Sequence, residues 1–181
     1  MDEQELIRGC IQGNRTCEKC LYEKYAGKML SVCMRYMGSR SKAEDMVQEG
    51  FIRVFQNLDS FKFTGSLEGW IRRIMINCSL RELGKMRNKN EFFGHEYYSE
   101  SSDMVGVISK MSADEIHDLI AQLPDGYRTV FNMYVIDGYS HKEIADQLDF
   151  GVGTSRSQLA KARNQLREML QMHEKIGNES E

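Results

Sequence analysis

The segment Gly138 to Arg167 constrains the fold most, because its pattern predicts two helices joined by a tight turn. It opens Gly138-Tyr139-Ser140-His141-Lys142-Glu143-Ile144-Ala145. Ser140, with Glu143 three residues on, predicts an N-cap and its capping-box partner. Ile144, Ala145 and Leu148 give a short first helix its apolar face. Asp149-Phe150-Gly151 predicts the turn, and a second helix follows from Val152. Leu159, Ala162, Leu166 and Leu170 recur at helical spacing and face a core. Arg156, Ser157, Ala160, Lys161 and Arg163 fall largely on other faces, and no acidic residue occurs from Val152 to Arg167. A bracing helix followed by a basic one suits insertion into a DNA major groove. A small helical hairpin with a solvated basic face would show the same pattern, so this segment alone leaves both readings open.

The rest of the chain points to an all-α protein. Its 181 residues allow one ordinary domain or two small ones. A hydrophobic share of 41% and a charged share of 28% are those of a globular chain. One proline among many leucine, methionine, glutamate, lysine and arginine residues favours helix, and no alternating pattern is long enough for a sheet. No stretch approaches the roughly 20 apolar residues that span a bilayer, so no membrane insertion is expected. The acidic start Met1-Asp2-Glu3-Gln4-Glu5 lacks a signal peptide's apolar core. Five cysteines, an odd number, argue against a fully paired secreted framework. A cytoplasmic location is expected.

Charge is uneven along the chain, although its net value is only -3. From Lys62 to Lys89 seven basic residues face Glu68 and Glu82, while Glu91 to Asp118 carries seven acidic residues against Lys110. Phosphate contacts depend on local charge, so these blocks matter more than the overall sign. The expected division is a first domain over 1–89, a flexible acidic linker over 90–111, a second domain over 112–172 and a tail over 173–181. The linker is polar, contains Ser99-Glu100-Ser101-Ser102-Asp103 and is weakly periodic. Ser112 is the expected N-cap of four helices over Ala113–Gln122, Asp125–Ile136, His141–Leu148 and Val152–Met172. The polar segment from Lys175 is expected to fray.

Within the first domain, Ser41-Lys42-Ala43-Glu44 predicts a capping box. Ala43, Met46, Val47, Phe51, Val54, Phe55 and Leu58 then form one apolar stripe. The opposite side carries Asp45, Gln48, Glu49 and Ile52. An isoleucine beside a polar row suits a face kept for a protein partner, although a lone exposed isoleucine is also ordinary. A loop over Asp59 to Leu67 follows, containing Phe61 and Phe63. In the helix after it, Trp70, Ile74 and Cys78 form one stripe with Ile71 and Met75 beside it. Arg73, Asn77 and Arg81 lie at four-residue steps on another, and such side chains suit phosphates and base edges.

Cys17-Glu18-Lys19-Cys20 is a lone C-x-x-C in a helical pattern, with no second pair and only scattered histidines. Zinc would need two further ligands, which Cys10 and Cys33 could supply only by tertiary folding. Ordinary helix-packing cysteines are the expected role. No nucleophile-base-acid set or glycine-rich phosphate loop occurs, so neither an enzyme nor a cofactor is expected.

The run Ala43-Glu44-Asp45-Met46-Val47-Gln48-Glu49-Gly50-Phe51-Ile52-Arg53-Val54-Phe55 resembles region 2 of bacterial sigma factors, as does Trp70-Ile71-Arg72-Arg73-Ile74-Met75-Ile76-Asn77. Leu123-Pro124-Asp125-Gly126-Tyr127-Arg128, followed by Gly153-Thr154-Ser155-Arg156-Ser157-Gln158-Leu159-Ala160-Lys161-Ala162-Arg163, resembles region 4. The short two-domain layout is similar to that of extracytoplasmic-function sigma factors. The resemblance implies that the first domain docks on bacterial core RNA polymerase through Asp45, Gln48, Glu49 and Ile52. It implies that the loop around Phe61 and Phe63, with Arg73, Asn77 and Arg81, takes the promoter's −10 element. It further implies that Arg156, Ser157 and Lys161, with Arg163 near phosphate, contact the −35 duplex. An anti-sigma factor is a candidate partner on the same ground.

Four positions depart from the family pattern. Asp149 stands where glycine is usual, and Gly151 where serine or proline usually starts the recognition helix. Both substitutions cost little, since Asp tolerates the left-handed conformation and Gly is a fair N-cap. Gln158 replaces a usual arginine and Ala160 a bulkier residue, which alters the details of −35 reading. Two other classes stay open at this point: an autonomous helix-turn-helix regulator of duplex operators, and a cysteine-based redox protein. The row Asp45, Gln48, Glu49 and Ile52 separates the first of these from a sigma factor, since a regulator acting alone has no need of it.

Overall fold

The computed structural model describes residues 2–87 and 113–178. The expected linker over 90–111 and the expected cap Ser112 lie outside the described residues. The chain separates into two compact units, Met1–Met86 and Arg87–Glu181. Every regular element among the described residues is helical, as the composition implies.

In the first unit, the acidic N-terminus is a helix cap. Asp2 and Glu5 form a capping box at the start of α1 (Glu3–Ile11), which buries Leu6, Ile7 and Cys10. Negative charge there also complements the helix dipole. Asn14 caps α2 (Arg15–Met37) by accepting from the Thr16 and Cys17 amides. The Tyr25 hydroxyl donates to Glu3 at 3.1 Å and ties α2 to α1. Gly38, left-handed at φ 63°, ends α2.

The next helix, α3 (Arg40–Asn57), begins one residue before the expected cap. Only Ser39 separates it from Gly38, so Ser41 already lies inside the helix and the capping box does not form. Glu44 instead accepts from Arg40 Nε at 2.8 Å. The apolar stripe is as expected: Ala43, Met46, Val47, Phe51, Val54 and Leu58 are buried, and Phe55 is half-buried. Gly50 belongs to this buried face, where a Cβ would fall 2.1 Å from Met75 Sδ. A glycine there lets Met75 of α4 (Leu67–Arg87) sit directly against the α3 backbone.

In the second unit, α5 (Ala113–Ala121) leads through Pro124 into α6 (Asp125–Phe131). The helix expected over Asp125–Ile136 changes character midway, because Asn132–Ile136 is a π turn. The Asp137 amide reaches the Asn132 carbonyl at 2.9 Å, which widens the last turn. Gly138, at φ 75°, reverses the chain. Ser140 and Glu143 form the expected capping box on α7 (His141–Leu148), and Asp149 ends it in the left-handed conformation at φ 55°. The last helix, α8 (Val152–Asn178), starts where expected but outruns Met172 by six residues. The run Met172 to Ile176 contains no helix breaker, in keeping with this extension. Leu159, Ala162, Leu166 and Leu170 are buried as the spacing requires.

Candidate functional site

Three exposed surfaces follow from this scaffold. The first is the solvent side of α3, where Asp45 and Gln48 are exposed and Ile52 is 57% exposed. Glu49 is half-buried on the same side, and it is held by Arg53. Arg53 donates Nε at 3.2 Å and Nη2 at 2.6 Å to the Glu49 carboxylate. That bond holds the Glu49 carboxyl below its ordinary range. Arg53 lies four residues after Glu49, the spacing at which two side chains meet on one helix face, so the sequence itself carries the signal for this pair.

The second surface runs from the loop after α3 along α4. Phe61 is buried, whereas Phe63 is 52% exposed and holds the left-handed conformation at φ 57°. Few non-glycine residues adopt that region. The Phe61 ring lies 5.0 Å from Phe63 and 5.6 Å from Trp70, so one buried ring supports an exposed one. Gly65, at φ 136°, lets the loop return, and the Ser66 hydroxyl accepts from the Gly69 amide at the start of α4.

On α4 the exposed residues include Arg73, Asn77 and Arg81, in the row expected from their spacing. The core stripe differs from expectation. Ile71, Met75 and Cys78 are buried, whereas Trp70 and Ile74 are half-buried. These two line an open pocket of about 240 Å³ with Arg53, Asn57, Asn77, Cys78 and Arg81. Two guanidinium groups, an indole and two carboxamides give it hydrogen-bond donors beside an aromatic wall, a chemistry suited to nucleobases and phosphate.

The third surface is α8. Arg156 is exposed, and Ser157, Lys161 and Arg163 are half-buried. Arg156 and Arg163 are seven residues apart and share one row. The Ser157 hydroxyl donates to the Thr154 carbonyl at 3.0 Å, which leaves its oxygen lone pairs for a partner. Gln158 is buried, and its Oε1 has no hydrogen-bond partner among the described residues. It therefore does not belong to the exposed row.

His141, which no sequence motif marks, touches two other elements. Its Nδ1 lies 2.9 Å from Ser155 Oγ, and its ring stacks on Tyr134 at 4.4 Å. Arg128 is also buried. It donates to the Ala121 and Leu123 carbonyls and to Asp125, so it acts within the domain.

The cysteines follow the packing reading. Cys10, Cys17, Cys33 and Cys78 are buried, Cys20 is half-buried, and no disulfide links them. Burial pushes the Cys10 and Cys33 thiols up to about 11, which disfavours the reactive thiolate. Among the described residues, no group of three histidine, cysteine or acidic side chains could hold a metal. No helix among them is long and apolar enough to cross a membrane.

Two family models match the chain: Sigma-70 region 2 over residues 21–89, and Sigma-70, region 4 over residues 113–166. The ECF RNA polymerase sigma factor SigW of Bacillus subtilis (strain 168) is 30% identical over 176 residues, covering 91% of this chain and 94% of the relative. The RNA polymerase sigma-H factor of Pseudomonas aeruginosa is 28% identical over 183 residues, covering 93% and 94%. A solved structure of the sigma factor RpoE in complex with the anti-sigma factor NepR from Bartonella quintana matches with a TM-score of 0.51 at 20% identity, covering 84% of this chain and 96% of that one. At that identity the likeness concerns the fold alone.

Proposed function

The chain belongs to the extracytoplasmic-function sigma factors, which direct bacterial RNA polymerase to promoters, and within that role we propose a division of labour among its three exposed surfaces. The α3 face, Asp45, Gln48, Glu49 and Ile52, docks on core polymerase, with Arg53 fixing the Glu49 carboxylate. Phe63, Arg73, Asn77 and Arg81 take the −10 element, and buried Phe61 supports the Phe63 ring from beneath. A base turned out of the strand needs a surface to stack on, and unstacking costs only a few kcal/mol, which the other promoter contacts can supply. Arg156, Ser157 and Lys161 read the −35 duplex, with Arg163 near phosphate. Arginine and serine reach base edges, while cationic side chains fix the register.

The observation that carries this reading is the 57% exposure of Ile52 in a polar row, opposite an apolar stripe that is buried except at half-buried Phe55. A single exposed isoleucine is ordinary by itself, but one set within a polar row on this helix suits a protein interface. The chain acts as an initiation factor in the cytoplasm, while RNA synthesis is the polymerase's own chemistry. An anti-sigma factor is a fitting second partner for a chain of this family, and a sigma factor of similar fold is solved in complex with one. The test is reconstituted transcription with bacterial core polymerase across a random promoter library. Paired −10 and −35 motifs should emerge. The double variant Gln48→Ala, Glu49→Ala should lose core affinity with its helicity intact. Unchanged affinity in a titration would overturn the docking assignment.

A further inference from the structure

His141 has no part in the surfaces above, yet its ring contacts two other elements. It is the first residue of α7. The start of that helix is already capped by Ser140 and Glu143, so the imidazole is not needed there. The ring instead lies flat on Tyr134 of the π turn, at 4.4 Å and 21°. Its Nδ1 meets the hydroxyl of Ser155, a fully buried residue in the first turns of α8, at 2.9 Å. The next residue along α8 is Arg156.

We infer that His141 is a positioning residue for the recognition helix: held against Tyr134 and bonded to Ser155, it fixes the roll of α8 and so sets where Arg156 meets DNA. The inference rests on the proposed −35 role of α8. The buried stripe Leu159, Ala162, Leu166 and Leu170 holds the body of α8, while near its start the turn Asp149 to Gly151 constrains only the junction with α7. His141 stands at the other end of α7, roughly 10 Å away at 1.5 Å per residue, and supplies a second constraint. A roll that moves Ser155 Oγ by about 1 Å would stretch the bond beyond hydrogen-bonding range. Carried out along the longer arm of Arg156, the same roll displaces the guanidinium by about 2 Å, given a backbone radius near 2.3 Å. Bidentate recognition of a base does not survive that displacement. Contacts to phosphate do, because they need charge more than register.

The test uses the holoenzyme and two promoters: one with the −35 sequence that the wild type selects, and one with that sequence scrambled. His141→Phe keeps a flat ring on Tyr134 and removes Nδ1. It should lose about tenfold in affinity for the selected promoter and nothing on the scrambled one, since a buried bond is lost. Ser155→Ala, a small change that the fold tolerates, should do the same. His141→Asn restores a polar atom near Nδ1 and should recover most of the loss. The double variant His141→Phe, Ser155→Ala should be little worse than either single one, because both partners of the bond are then gone. Wild-type affinity in both single variants would overturn the inference. So would equal losses on the two promoters, or losses that multiply in the double variant. A wild-type holoenzyme that selects no −35 sequence would instead overturn the proposed role of α8 itself.

Discussion

Arg156, Arg163 and Arg167 of the second unit are exposed or half-buried, but Arg128 is 5% exposed and directed at backbone. Its Nη1 donates to the Leu123 carbonyl at 2.9 Å and to the Ala121 carbonyl at 3.1 Å. The last carbonyls of a helix have no partner within it, and here the guanidinium supplies one for α5. Arg128→Met keeps the stem and removes the donors. It should destabilise the C-terminal unit by about 2–4 kcal/mol, read as a lower urea midpoint. An unchanged midpoint would mean that water replaces the guanidinium. Glu49 offers a second residue-scale prediction. Arg53 holds its carboxyl below the ordinary range. The associated stability is present above the unfolded-state value and is lost as pH falls through the lower folded value. Both partners are 36% exposed, so solvent screens the pair and global stability moves little. The direct check is an NMR titration of Glu49, whose midpoint should rise in Arg53→Gln.

At the scale of elements, the sequence was most legible where a signal is local. The Ser140–Glu143 capping box, the Asp149 turn and the buried stripe of α8 depend on neighbours within a few positions. It was least legible where a distant residue decides. Ser41 and Glu44 have the spacing of a capping box, but Gly38 ends α2 so close by that α3 starts before them. On α4 the stripes Trp70/Ile74 and Ile71/Met75 are almost equally apolar. Gly50, on another helix, opens the space that draws Met75 inward and leaves Trp70 lining the pocket. The loop before α4 has the same character, since nothing in its sequence says which phenylalanine is buried. The structure buries Phe61 and exposes Phe63, which predicts a clean separation. Phe61→Ala should destabilise the N-terminal unit by about 3–5 kcal/mol. Phe63→Ala should leave stability nearly unchanged and weaken binding of a single-stranded −10 oligonucleotide by about 1–3 kcal/mol. If Phe63→Ala binds the oligonucleotide as tightly as wild type, the exposed ring is not a stacking platform.

At the scale of the whole molecule, the two basic helices belong to separate compact units, α4 to the first and α8 to the second. Two units that read two promoter elements should respond to mutation independently, because sites without shared partners contribute additively. Arg156 is exposed near the start of α8. Arg156→Ala should cost about 1–3 kcal/mol on promoters with a matching −35 sequence if the guanidinium makes a bidentate base contact. The −10 preference should not change. Asn77 is exposed on α4 and lines the pocket beside Trp70 and Arg81. Asn77→Ala should relax −10 preference, leave −35 preference alone and slow strand opening, since captured single-stranded DNA is what holds the bubble. A promoter library read with each holoenzyme, alongside a fluorescent opening assay, decides between this and a simpler account. If both variants lose preference at the same positions, the two units do not read separate elements. If both lose affinity uniformly across all sequences, with a shallower salt dependence, the two helices supply charge to the phosphate backbone and read no bases.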